Sequence, residues 1–151
     1  MTTPLASLRG HRVYLDTNCL IYFFIRDPDY FEAAFDILNA CKQGEIIGMF
    51  GQVGVAELLV KPYQANDAAQ IAQYKKFLFQ SHTLQILPHD LTTFDLAAQI
   101  RAQQGVKLMD ALHYATALHG GCRFFLSNDR AFKSTPRMEV LTMADFAGEK
   151  P

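Results

Sequence analysis

The sequence predicts an α/β fold in which a central parallel sheet is covered by helices on both faces. Two observations carry that prediction. Short apolar runs such as Val13-Tyr14-Leu15 and Phe124-Phe125-Leu126 alternate with longer segments of helical periodicity along the whole chain, the pattern of strands joined by crossover helices. The composition agrees: 151 residues, half of them hydrophobic and 19% charged, suit one compact domain, residues 1–151, with a proper core.

Taken in order, residues 12–16 read as a strand, and Asp16-Thr17-Asn18 offers three good N-cap residues before an apolar helix over 19–25. Beyond the break at Asp27-Pro28-Asp29, residues 30–42 have helical spacing, with Phe31, Ala34, Phe35, Leu38 and Cys41 on one side and Gly44 at the end. Residues 45–50 form a second strand. A short helix over 52–61 is expected to stop at Pro62, and another runs over 66–80. Residues 83–87 are a third strand, 90–104 a helix ended by Gly105, and 107–119 a helix broken by Gly120-Gly121. Residues 123–127 and 138–141 complete the strands.

The composition also excludes several classes. A net charge of −1 is not that of a generally basic nucleic-acid binder, so a nucleic-acid substrate needs local basic residues, such as Lys61, Lys107, Arg130 and Lys133, or a metal. Cys19, Cys41 and Cys122 are odd in number, scattered and set in apolar stretches, which argues for buried free thiols rather than disulfides or zinc. No apolar run approaches the roughly 20 residues of a membrane span, and residues 1–11 lack the apolar core of a secretion signal, so a cytoplasmic protein is expected. The five histidines form no HExxH pattern, and no phosphate-binding glycine loop or nucleophile elbow occurs.

What remains is acidic. Asp16 closes the first strand, Glu57 lies on an apolar helix between Val53 and Val60, Asp110 stands near a helix start, and Asp129 follows the strand Phe124-Phe125-Leu126-Ser127. Each has an innocent reading: Asp16 as an N-cap, Glu57 in an exposed pair with Lys61, Asp110 favouring a helix dipole, Asp129 in turn chemistry. Together they describe a pocket. In parallel sheets ligands bind beyond the carboxyl ends of the strands, near the point where strand order reverses, and both Asp16 and Asp129 sit at such ends. Two carboxylates about 6 Å apart repel by roughly 3 kcal/mol at an effective dielectric near 20, and oxygen-only ligands select Mg2+ or Mn2+. His113, one turn beyond Asp110, reads as a hydrogen-bonded structural histidine. The aromatic groups Tyr22-Phe23-Phe24, Tyr30-Phe31 with Phe35, and Tyr74 with Phe77 and Phe79 read mainly as core, with room for an exposed apolar surface.

Four segments together resemble the PIN-domain ribonucleases, the family that includes the VapC toxins of toxin–antitoxin pairs: Tyr14-Leu15-Asp16-Thr17-Asn18, Val55-Ala56-Glu57-Leu58-Leu59, residues 110–118 (Asp-Ala-Leu-His-Tyr-Ala-Thr-Ala-Leu), and Leu126-Ser127-Asn128-Asp129-Arg130-Ala131-Phe132. The resemblance implies a flavodoxin-like three-layer sandwich. It further implies a metal-dependent endoribonuclease whose catalytic and metal-holding residues are Asp16, Glu57, Asp110 and Asp129, with Asn18, Ser127 and Arg130 placed to meet substrate. Asp16 and Asp110 correspond to the surest ligands of Mg2+ or Mn2+. RNA, an antitoxin protein and a second copy of the chain are the implied partners. The chain departs from the family pattern in having Ser127 where Thr is frequent, and Gly51 and Gly54 where a Ser or Thr is usual. A rival reading keeps the fold as an RNA-binding or scaffold module in RNA processing that does not cleave. Phosphatases of the haloacid-dehalogenase type need a second Asp where Asn18 stands, and phospho-acceptor receivers need paired acids at the first strand, where Asp16 is alone.

Overall fold

In a computed structural model of the chain, residues 5–129 and 131–146 are described. A 3-10 turn over Leu5–Leu8 leads into β1 (Arg12–Leu15), α1 (Thr17–Phe24), α2 (Phe31–Lys42), β2 (Ile47–Gly51) and α3 (Gln52–Gln64). There follow α4 (Ala68–Gln80), β3 (Gln85–Leu87), α5 (Leu91–Gln104), α6 (Leu108–His119), β4 (Phe124–Leu126), β5 (Glu139–Leu141) and a second 3-10 turn, Met143–Asp145. The strands form one sheet in the order β3-β2-β1-β4-β5, and each pairing is parallel. The predicted three-layer α/β sandwich is thereby confirmed.

Strand alternation divides the core. Val13, Leu15, Phe124 and Leu126 point to one face, where they meet Leu20, Ile37 and Phe50. Tyr14 and Phe125 point to the other, against Ile100, Ala115 and Met138. Burial on both faces is why these strands read as continuous apolar runs. The three cysteines are buried and free, as expected.

One boundary differs in kind from the sequence reading. The helix α3 does not stop at Pro62 but carries it inside, ending at Gln64. A proline this near a helix end forfeits one backbone bond to the preceding turn. The Pro62 ring is buried, and the chain closes behind it through Ala65 N–H to the Lys61 carbonyl and Asp67 N–H to the Pro62 carbonyl. The aromatic groups also split. Tyr74 is core, and Phe23, Phe24 and Phe77 pack partly buried against it, whereas Phe35 and Phe79 are 48% and 56% exposed.

The topology fixes where a site can form. From β1 the chain proceeds to β2 and β3 on one side, then crosses to β4 on the other. The order reverses between β1 and β4, whose ends pair Leu15 with Leu126. Asp16 and Ser127 are the next residues along each strand.

Candidate active site

Asp16 is held by its own neighbourhood. It is the N-cap of α1, accepting a hydrogen bond from the Thr17 amide at 2.8 Å, while its second oxygen accepts the Ser127 hydroxyl at 2.8 Å. Burial pushes its carboxyl up, and Glu57 adds to that; His113, Ser127 and the Thr17 amide oppose the shift without cancelling it. Ser127 in turn accepts the Asp129 amide at 3.1 Å, tying the loop after β4 to the end of β1.

Glu57 reaches the same place from α3. The alternative, an exposed pair with Lys61, does not form; Glu57 instead accepts from His113 Nε2 and from the Thr17 hydroxyl, the latter at 3.1 Å. Burial alone would raise the Glu57 carboxyl, but the hydrogen bond and proximity of His113, with Thr17, outweigh it and hold the group below its ordinary value. His113 belongs to the site more directly than the sequence indicated. Its side chain is 1% exposed, and its Nδ1 meets the Tyr14 hydroxyl at 2.5 Å. Tyr14 also accepts the Gly51 amide at 2.9 Å. The contacts form one chain: Gly51 donates to the Tyr14 hydroxyl, which meets His113 Nδ1, and His113 donates from Nε2 to Glu57.

Asp110 lies in the first turn of α6, partly buried. Burial raises its carboxyl first, then the charges of Asp16 and Asp129, with Glu57 adding and His113 opposing. One turn further along α6, His113 bonds Glu57. Asp129 is exposed, and its Oδ1 accepts the Ala131 amide at 2.9 Å, the local bonding of the alternative reading. Asn18 is exposed on the first turn of α1. Arg130, expected to meet substrate, lies outside the described residues. The sequence reading missed Tyr14 and Thr17 as site residues, because each was already accounted for locally, as strand core and as helix cap.

The residue types suit a hard divalent cation by chemistry, since carboxylate oxygens are the ligands such an ion prefers, and burial with nearby negative charge raises the Asp110 carboxyl. Among the described residues no group of three or more His, Cys, Asp or Glu side chains stands in a metal-ligating arrangement. The oxygens of Asp16 and Glu57 are turned to protein donors instead.

The PIN domain family model matches residues 13–138, a span that contains all four acids and the whole sheet except the first residue of β1 and β5. The chain belongs to the PIN domain family. Solved structures of similar fold include VapBC2 of Rickettsia felis bound to a promoter DNA fragment, at TM-score 0.69 and 15% identity over 87% of this chain and 98% of that one. A toxin–antitoxin complex from Klebsiella pneumoniae follows at TM-score 0.68 and 20% identity, over 87% and 97% of the two chains. The Mycobacterium tuberculosis toxin VapC20, which cleaves the sarcin-ricin loop, has TM-score 0.62 and 9% identity over 78% and 90%. No curated protein matches the sequence significantly.

Proposed function

We propose that this PIN domain is a metal-dependent endoribonuclease, the toxin component of a type II toxin–antitoxin pair, acting on cytoplasmic RNA. What supports the reading is the reversal point of the sheet, where Asp16 follows β1 and bonds Ser127 beyond β4, and where Thr17, next to Asp16, bonds Glu57; Asp110 and Asp129 are proposed to complete the cluster. The fold's likeness to toxins from VapBC and other toxin–antitoxin assemblies supports the biological role.

Mg2+ or Mn2+ would be held by Asp16 and Asp110, with Glu57 and Asp129 completing the acidic cup. When bound, such an ion supplies Lewis-acid stabilisation of the phosphoryl oxygen and a water of lowered pKa. The chain's own residues do the rest. Ser127 orients the Asp16 carboxylate, Thr17 and His113 orient Glu57, and Glu57 or Asp129 directs the attacking water. Asn18, exposed beside Asp16, and Arg130 meet the RNA backbone, and cleavage leaves 5′-phosphate and 3′-hydroxyl ends. The exposed ring of Phe35, in a cavity of about 380 Å³ lined also by Phe23 and Phe77, offers an antitoxin segment an apolar seat. A homodimer completes the assembly.

The test is cleavage of end-labelled RNA with Mg2+ or Mn2+ and with chelator. Asp16→Asn and Asp110→Asn are expected to lower the rate by about a thousandfold while the circular dichroism spectrum stays that of the folded domain. Either variant cutting at the wild-type rate ends the proposal, and RNA binding without cleavage by the wild type would establish the scaffold role in its place.

A further inference from the structure

The helix that presents Glu57 begins with no cap of its own: its N-cap is Gly51, which has no side chain to accept a first-turn amide. An outside residue supplies the acceptor. His89, between β3 and α5, takes the Val53 amide on its Nε2 at 3.0 Å. Its other nitrogen, Nδ1, lies 2.9 Å from the Thr116 hydroxyl on α6, and Thr116 also reaches the Leu112 carbonyl at 2.7 Å.

The donors and acceptors leave one solution. An amide can only donate, so Nε2 must carry a lone pair, and a neutral ring then bears its proton on Nδ1. That proton goes to the Thr116 oxygen, which spends its own on Leu112. His89 thus joins the start of α3, the helix of Glu57, to the middle of α6, the helix of Asp110 and His113. Burial, with His113 adding, holds His89 below its ordinary value, in keeping with the neutral form.

Gly51 is part of the same arrangement. A Cβ there would stand 2.5 Å from the Tyr14 hydroxyl and 3.1 Å from His89 Cε1. The space a side chain would fill is taken by the two residues that receive the Gly51 and Val53 amides. The absence of a Ser or Thr cap at this helix start and the presence of His89 are therefore one feature.

We propose that His89 is a positioning residue of the nuclease site, capping α3 from outside and fixing Glu57 relative to His113 and Asp110 through its bridge to Thr116. The proposal rests on the nuclease reading for its catalytic arm only. Two variants test it: His89→Leu, which keeps bulk and removes both polar atoms, and His89→Gln, which restores an acceptor.

Amide hydrogen exchange at Val53 is expected to speed by about five- to tenfold in His89→Leu, the loss of about one net hydrogen bond, with exchange in β1 unchanged. RNA turnover is expected to fall about tenfold in kcat with KM within about twofold, and His89→Gln to recover most of both losses. Unchanged Val53 exchange in His89→Leu, a loss confined to KM, or equal losses in the two variants would overturn the assignment. If the wild type cuts no RNA, the nuclease reading falls while the exchange arm still decides whether His89 anchors α3.

Discussion

Asp16 and Glu57 arrive at the same pocket by opposite means. Asp16 is fixed by what lies next to it, a strand end, a helix start and the serine at the end of the adjoining strand. Glu57 stands well inside α3, and everything that holds it comes from elsewhere: Thr17 from α1, His113 from α6, and, at the helix start, Tyr14 and His89. The first arrangement moves with the sheet. The second depends on α3 keeping its seat against β2 and α6, so damage to packing far from the acids should reach Glu57 first.

The largest structural effect expected from this contrast is at Gly54. A Cβ there would fall 2.2 Å from the Phe50 ring, and Phe50 is fully buried, so it has little room to yield. Alanine is ordinarily worth about 1 kcal/mol over glycine in a helix; here overpacking should reverse that sign, with Gly54→Ala losing about 1–3 kcal/mol in denaturant unfolding. Adding Phe50→Leu should recover part of the loss. A Gly54→Ala variant more stable than wild type would mean α3 is not seated as tightly as the contrast requires.

The same contrast decides what could be read from the sequence. Strand and helix order, the parallel sheet and the capping role of Asp16 depend on neighbours in the chain, and local pattern carried them. Asp110 was legible from its place near a helix start and from the 110–118 segment that resembles the family. The Glu57 anchorage was not, since His89 and Val53 are joined only once β3 has been laid beside β2. Pro62 misled for a related reason: its burial, which only the fold creates, accompanies a helix that runs on past it to Gln64. His113 looked structural because one histidine on a buried helix face usually is, and its second nitrogen finds Glu57 only through the fold.

A smaller effect separates the two modes at Ser127. Removing its hydroxyl in Ser127→Ala takes a donor from the buried Asp16 carboxylate and an acceptor from the Asp129 amide. A loss of about 1–2 kcal/mol is expected by thermal unfolding without divalent ions. Ser127→Thr keeps the hydroxyl and should stay near wild type. If alanine is as stable as serine, Asp16 does not depend on its neighbour across the strands.

The subtlest difference lies in how acid acts on each group. Glu57 is held below its ordinary value, so its ionised form favours the fold; that contribution is present above the ordinary glutamate range and is lost as pH falls through the lowered value. Asp110 is raised, so its ionised form disfavours the fold above the raised value, and protonation on acidification removes that cost. Glu57→Gln should therefore be less stable than wild type near neutrality, and Asp110→Asn more stable. On acidification the Asp110 difference should shrink first, from the raised value downward, and the Glu57 difference later, as pH falls through the lowered value. Millimolar Mg2+ would stabilise wild type more than Asp110→Asn, because the variant lacks one carboxylate and the part of the repulsion that it contributes. Parallel pH profiles for the two variants would show that Glu57 and Asp110 are not held in opposite electrostatic senses, and that the bonds from His113 and Thr17 do not outweigh the cost of burying Glu57.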